Sequence, residues 1–227
     1  MPDDVKEITA LRNRKKARQR AALLQAAAEL FRERGYDRTR MEDIATLADV
    51  STPTVYNYFA TKQRVLTELL KQDRLDQLEP VEAVLRHPPE DPAEALAQLI
   101  HTNMAPLRRT EDKLLWREML AAIVRAHDHE QDEFDSNRAV FKRHIQRLLE
   151  HFVKAGRISP SIPLTQAAEL IYAINAYDLR YLLAAESHTP EMIRDMARRQ
   201  MALLLTGWET AKTPSSAPTA RKRKTHR

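Results

Sequence analysis

The chain has 227 residues, 43% of them hydrophobic and 30% charged, with no cysteine, only 3 glycines and 12 prolines. The lack of cysteine excludes a disulfide scaffold, a thiolate nucleophile and a cysteine-ligated metal. No apolar run approaches the roughly 18 residues that cross a bilayer. The formal net charge of +5 is unevenly placed: residues 1–65 carry +4, residues 66–211 carry −5 and residues 212–227 carry +6. That is the pattern of an anion-binding head on a body with a different task.

The length suits one domain or two modest ones, with ample chain to bury a core. Abundant Ala, Leu, Glu, Arg and Gln favour helix, so the expected fold class is all-α. Met1 to Leu11 is expected to be flexible, and its charged character is unlike a secretory signal. Arg12, Arg14, Lys15, Lys16, Arg18 and Arg20 then form a dense basic run. Two readings fit it: an arm along a phosphate backbone or minor groove, or a solvated helix start. The head that follows favours phosphate contact, which supplies affinity and salt dependence rather than sequence choice.

From about Asn13 to Arg34 the pattern is helical, with Ala17, Ala21, Leu24, Ala28 and Phe31 at four-and-three spacing. Gly35 ends this helix where a left-handed residue is wanted. The next stretch, Thr39 to Lys62, reads as two short helices joined by a tight turn, followed by the start of a third. Thr39 is the expected N-cap, with Glu42 three residues on completing a capping box. Met41, Ile44, Ala45 and Ala48 make one apolar face, and Asp49-Val50-Ser51 breaks the helix, with Val50 turned inward. Ser51 caps the second short helix, whose first turn tolerates Pro53. Val55 and Phe59 form its inward face, leaving Thr52, Thr54, Asn57 and Tyr58 outward. A short helix presenting hydroxyls, an amide and a phenol, but no acid, suits a major groove, where a carboxylate would be repelled by phosphate. Any helical hairpin with a polar outer face is the plainer alternative. The three-helix core should include Leu24, Phe31, Ile44, Val50, Val55 and Phe59.

Thr61 caps a longer helix from Lys62 to about Leu85, through Val65, Leu66, Leu69, Leu70 and Leu78. His87-Pro-Pro-Glu-Asp-Pro92 is a break, and Asp91-Pro92 reads as an N-cap followed by a first-turn proline. A helix then runs to about Arg109 with Leu96, Leu99, Ile100, Asn103 and Leu107 on its apolar side. Thr110 caps another, with Leu115, Trp116, Met119, Leu120 and Ile123 inward. Residues 127–133 are polar and expected to be a junction or exposed turn. A long helix follows to about Ala155, using Phe134, Phe141, Ile145, Leu148 and Phe152, and Gly156 closes it. Thr165 to Ala185 and a last helix from Thr189-Pro190 to about Trp208 finish the body. The tail from Lys212 is basic, low in complexity and expected to be disordered. It either adds non-specific DNA affinity or only aids solubility.

The block from about Ala17 to Leu70 resembles the DNA-binding domain of the TetR (tetracycline-repressor-like) family of transcriptional regulators. The residues that carry the resemblance are Gly35-Tyr36, Thr39, Asp43-Ile44-Ala45, Ala48-Asp49-Val50-Ser51, Thr54-Val55-Tyr56, Tyr58-Phe59 and Lys62. Pro53 stands where the family often has glycine, the residue that permits a close backbone approach to phosphate. Arg40 stands where a second hydroxyl is common, exchanging a neutral phosphate bond for a charged one. The resemblance implies an N-terminal helix-turn-helix head at 12–61 joined to a larger ligand-binding and dimerisation bundle at 62–211, about nine helices in all, with 62–86 as the connecting helix. It implies base-edge contacts from Thr52, Thr54 and Asn57. It further implies phosphate contacts from Arg40, Tyr56, Tyr58 and Lys62, and approach steered by Arg14, Lys15, Lys16 and Arg18. Thr39 and Ser51 complete the expected DNA-binding set. It also implies that the last two helices pair with their twins in a second subunit, through Ile174, Tyr177, Tyr181, Ile193, Met196 and Leu204. Two-fold pairing doubles the length of DNA read. The plainer alternative is that these stripes only close the monomer's core.

A small effector would bind between body helices. Asn103, Trp116, Met119, His144, Asn175 and Asp178 interrupt the apolar stripes and point to an apolar or aromatic compound, although each such residue is more often a satisfied core group. No catalytic set can be assembled, and the three glycines stand too far apart for a phosphate loop. His127-x-His129, flanked by Asp128 and Glu130, has no third ligand at suggestive spacing, so neither metal nor cofactor is expected. The resulting expectation is a cytoplasmic, nucleoid-associated homodimer. It would act as a repressor on a palindromic duplex operator and be released by a small molecule. A regulator answering to a protein partner, and an activator, remain the alternatives.

Overall fold

The computed structural model describes residues 2–125 and 128–207, and the side chains of 9–73, 75–121, 124 and 138–207. Among the described residues the structure is helical without strands, in the order α1 (Pro2–Arg34), α2 (Met41–Leu47), α3 (Thr52–Tyr58), α4 (Lys62–Arg86), α5 (Pro92–Met104), α6 (Thr110–Arg125), α7 (Asp128–Lys154), α8 (Leu164–Ala184) and α9 (Pro190–Leu205).

Two apolar cores organise these helices. The first joins Leu23, Leu30 and Phe31 of α1, Ile44 of α2, Val55 and Phe59 of α3 and its end, and Val65, Leu66 and Leu70 of α4. The second fills the body with α5 (Leu96, Leu99, Ile100), α7 (Ile145, Leu149), α8 (Ile171, Leu182) and α9 (Ile193, Ala197, Met201). Helix α6 belongs to both. Its Leu115 and Met119 are buried in the first core, and Trp116 packs against each. Two cations tie α6 to the end of α8. The buried Lys113 ammonium donates to the carbonyls of Ala185 (3.0 Å), Glu186 (3.0 Å) and His188 (2.5 Å). Arg117 Nε donates to Leu183 O at 2.7 Å. Arg117 satisfies a last-turn carbonyl of α8 that the helix leaves unpaired, where positive charge is also favoured, and Lys113 gathers the carbonyls of the C-cap and the loop that follows. Burial lowers the Lys113 pKa from its ordinary value.

Several sequence expectations are corrected. Helix α1 starts at Pro2, not near Asn13, so the segment expected to be flexible is helical from Pro2 onward; proline at the first helical position loses no intrahelical bond. The N-cap of α2 is Arg40, whose backbone N–H donates to Asp43 Oδ2 at 2.8 Å, rather than Thr39 with Glu42. Helix α5 stops at Met104 because Pro106 lies just beyond. Leu78 is 46% exposed. The polar stretch 127–133 is helical from Asp128 on, since acidic residues favour a helix's first turn. The expected roles of Ile123, Phe134, His127, His129, Trp208 and the tail from Lys212 lie outside the described side chains or residues.

Helix ends follow local chemistry. Gly35 at φ +82° closes α1, and Gly156 at φ +68° closes α7. Thr61, Asp91 and Thr189 each accept a backbone N–H at the starts of α4, α5 and α9.

Candidate nucleic-acid interface

The turn between α2 and α3 is built by Asp49, at φ +53°. Its N–H donates to Thr46 O at 3.2 Å, and that of Val50 donates to Ala45 O at 3.0 Å. This pair of bonds forms a Schellman closure around a left-handed residue. Aspartate takes that conformation at lower cost than most side chains. The turn sets the angle at which α3 leaves α2, and Val50 is half-buried beneath it.

Helix α3 is anchored from below. Val55 is 0% exposed and Phe59 1%, so one face is locked into the core. The Tyr58 hydroxyl donates to Gln19 Oε1 at 3.1 Å, pinning α3 to α1. Arg20 of α1 lies over the Phe59 ring at 5.5 Å and pairs with Glu68 of α4. Burial alone would raise the Glu68 pKa, but Lys71 and Arg20 outweigh it and hold the carboxyl below its ordinary value. The opposite face of α3 is open. Asn57 and Tyr56 are exposed, and Thr52 and Thr54 are partly so. No acid lies within Thr52–Tyr58. Ser51 Oγ and Thr54 Oγ1 stand 2.8 Å apart, so the Ser51 hydroxyl engages a side chain rather than a backbone N–H. Arg40 is exposed at the start of α2, and Arg14, Lys15, Lys16 and Arg18 are exposed along α1.

Two expected DNA contacts are corrected. Thr39 is 0% exposed, and its hydroxyl donates to Gly35 O at 2.9 Å and lies 3.3 Å from Leu30 O. It closes the α1–α2 turn and cannot reach a phosphate. Lys62 points into the same turn. Its ammonium donates to Tyr36 O (2.6 Å) and Thr39 O (2.9 Å), lies 3.4 Å from Asp37 O, and stands 4.2 Å from the centre of the Tyr36 ring. Burial lowers its pKa, partly offset by Asp37 and Glu118. A lysine that saturates carbonyls in this way is a staple between α4 and the α1–α2 turn rather than a phosphate ligand. Gln19 was missed, and Arg20 was read only as part of the basic run, because their partners lie 39 and 48 residues away.

Of the six expected effector residues, two line a common cavity. Trp116 and Met119 line a cavity between α1, α4 and α6. Asn103 and His144 are half-buried. Asn175 and Asp178 are buried on the inward face of α8. Asp178 Oδ1 accepts from Gln200 Nε2 of α9 at 3.1 Å, while Asp178 Oδ2, Asn175 Oδ1 and Gln200 Oε1 have no hydrogen-bond partner among the described residues. Burial raises the Asp178 pKa, partly offset by Gln200. Of the expected dimer residues, Ile193 is 0% exposed and belongs to the body core, which removes it from any interface. Ile174, Tyr181, Met196 and Leu204 pack partly against that core. Tyr177 is 56% exposed, as are Leu170 (46%) and Leu203 (81%), two residues that sequence periodicity did not assign to an interface. Among the described residues no group of three or more His, Cys, Asp or Glu could hold a metal ion, and no helix is long and apolar enough to cross a membrane.

Residues 23–69 match the family model described as bacterial regulatory proteins, tetR family. The chain is 27% identical over 191 residues to the HTH-type transcriptional regulator RutR of Escherichia coli, covering 82% of this chain and 86% of RutR. It is 32% identical over 92 residues to the HTH-type transcriptional repressor NicS of Pseudomonas putida, covering 40% of this chain and 43% of NicS. A crystal structure of a TetR-family transcriptional regulator from Mesorhizobium loti shares the fold with a TM-score of 0.68 at 21% identity, covering 86% of this chain and 98% of that one. With α3 mounted outward on an apolar three-helix base, residues 23–69 carry the DNA-binding module of the TetR family of transcriptional regulators, and the chain shares the fold of a solved TetR-family structure.

Proposed function

We propose that the chain is a homodimeric repressor that reads a two-fold symmetric operator with α3 and leaves it when a small molecule binds. The observation that carries this reading is α3 itself: seven residues, clamped through Val55 and Phe59, with an acid-free outer face. Thr52, Thr54 and Asn57 are assigned to base edges, where hydroxyls and a carboxamide form the directional bonds that discriminate bases. Arg40, Ser51, Tyr56 and the basic run of α1 are assigned to phosphates, which set register and affinity. Tyr58 supports α3 through Gln19 and meets DNA only along its edge. Residues 12–61 act as the DNA-binding head and 62–211 as the body. A single α3 spans few base pairs, so a second copy is needed for a site of useful length. The exposed Leu170, Tyr177 and Leu203 on α8 and α9 supply the apolar patch expected at such an interface. NicS, which carries the name of a repressor, supports the direction of regulation.

Selection from random duplex DNA at near-physiological salt, followed by sequencing, tests the reading. Enrichment of a palindrome with half-sites about one helical turn apart is the expected result. Weak, salt-sensitive binding without a motif would refute it.

A further inference from the structure

Helix α1 runs without a break from Pro2 to Arg34, but its apolar packing on the head begins late. Leu23 is 0% exposed and opens the buried stripe that runs to Phe31. Every side chain from Thr9 to Arg18 is exposed. That segment holds Arg12, Arg14, Lys15, Lys16 and Arg18 and no acid. Arg12 and Lys16, and Arg14 and Arg18, stand four apart on one helix, where like charges repel. The junction between the exposed and the packed part is fixed to α3. Gln19 and Arg20 are half-buried. Gln19 Oε1 accepts from the Tyr58 hydroxyl at 3.1 Å, and Arg20 lies over the Phe59 ring at 5.5 Å while pairing with Glu68 of α4. Tyr58 is the last residue of α3 and Phe59 its C-cap. The exposed part of α1 therefore leaves the head beside the C-terminal end of α3, and one continuous helix joins it to the clamp.

From this junction we propose that the exposed part of α1 is a rigid helical arm that grips duplex phosphates beyond the base pairs under α3, and that Gln19 is the positioning residue through which this grip sets the seating of α3. The partner follows from charge. An acid-free row of cations suits a polyanion of regular spacing, and duplex DNA carries a phosphate charge about every 1.7 Å along its axis. Thr9 to Arg18 spans about 15 Å at the helical rise, the length of about four base pairs. Phosphates lying among these cations relieve their mutual repulsion, so the duplex stabilises the helical form of the arm. A basic segment on a loose tether would add affinity alone. An arm clamped through Gln19 and Tyr58 also fixes direction, because shifting it along the backbone shifts α3 in its groove. The positioning role rests on the base-reading assigned to α3 above; the grip on phosphates does not.

Two experiments on the full chain separate the grip from the positioning. The first is amide hydrogen exchange with and without a duplex of random sequence. Residues 9–18 should exchange several-fold more slowly on the duplex, and the Arg14→Gln/Lys15→Gln/Lys16→Gln variant should lose that protection. Exchange unchanged by the duplex would overturn the arm. The second compares affinity for the selected operator with affinity for the random duplex. Gln19→Leu and Tyr58→Phe should each lower the ratio of the two by about fivefold, the equivalent of one ordinary hydrogen bond. The double variant should be no worse than either single change, since both remove the same bond. Ala17→Pro breaks the helix between arm and clamp while keeping every charge. It lies on the exposed part of α1, and it should lower the same ratio while random-duplex affinity holds. Additive losses in the double variant, or an unchanged ratio in Ala17→Pro, would overturn the positioning role and leave an arm that only adds affinity. Failure to select an operator would remove the repressor reading and the positioning role with it, and the exchange experiment would decide the grip alone.

Discussion

Lys62 Nζ stands 2.6 Å from the carbonyl oxygen of Tyr36 and 4.2 Å from the centre of its ring. One ammonium thus closes the α1–α2 turn from the first residue of α4, using carbonyls that no helix satisfies. Replacing Lys62 with methionine keeps most of the stem and removes the charge. Hydrogen bonds to a charged group contribute about 1.5–3 kcal/mol, so the variant should lose about that much unfolding free energy in urea. Its DNA affinity, measured below the melting range, should keep the wild-type dependence on salt. A flattened salt slope would instead return Lys62 to the phosphates.

Asn57 is exposed at the centre of the acid-free face of α3. Asn57→Ala should weaken binding to the selected operator by about 1–3 kcal/mol, the range for one good base contact, with little effect on random DNA. Fluorescence anisotropy with both duplexes decides it. Equal weakening on both would assign Asn57 to the backbone.

The basic run should behave in the opposite way. Neutralising Arg14, Lys15 and Lys16 to glutamine should weaken operator and random DNA alike. It should also reduce the slope of log affinity against log salt by about 0.9 for each phosphate that the variant no longer neutralises. An unchanged slope would leave the run as a solvated helix face.

Tyr177 and Leu203 are 56% and 81% exposed on α8 and α9. Tyr177→Glu and Leu203→Glu should convert a dimer to a monomer in light scattering, without loss of helical circular dichroism. Charge buried in an apolar interface is costly, whereas on a solvated monomer surface it is not. Wild-type protein that is already monomeric at working concentration would refute the dimer.

Asp178 provides a pH-dependent prediction. Its folded pKa is raised by burial, so the folded state holds its proton more tightly than the unfolded chain does. The associated stability is present below the unfolded value of about 3.9 and is lost as pH rises through the folded value. Asp178→Asn can accept from Gln200 Nε2 and donate to Gln200 Oε1, which has no partner among the described residues. The variant should therefore be more stable than wild type at pH 7, by about 1–3 kcal/mol. The advantage should shrink toward pH 4 in a series of thermal melts. A constant difference across that range would mean that Asp178 does not titrate there.

The all-α architecture and the helix-turn-helix could be read from the chain because their determinants are local. Gly35, Asp91-Pro92 and Gly156 mark helix ends through their own backbone preferences, and the spacing of Val55 and Phe59 identifies the buried face of α3. An acid-free polar face is likewise a property of seven consecutive residues. Side-chain roles that depend on distant partners were not legible. Thr39 has the right type and position for a cap or a phosphate contact, yet folding buries it against Leu30 and Gly35. Lys62 looks like a free cation until the chain returns Tyr36 and Thr39 to it. The same holds for α6. Its apolar stripe reads as one face of a body helix, but only packing shows that Leu115 and Met119 enter the head's core while Lys113 holds the end of α8. Local preference acts through bonds within a few residues. The choice of which residues are exposed, and which helix joins two cores, is made by contacts tens of residues apart, which no short window of sequence contains.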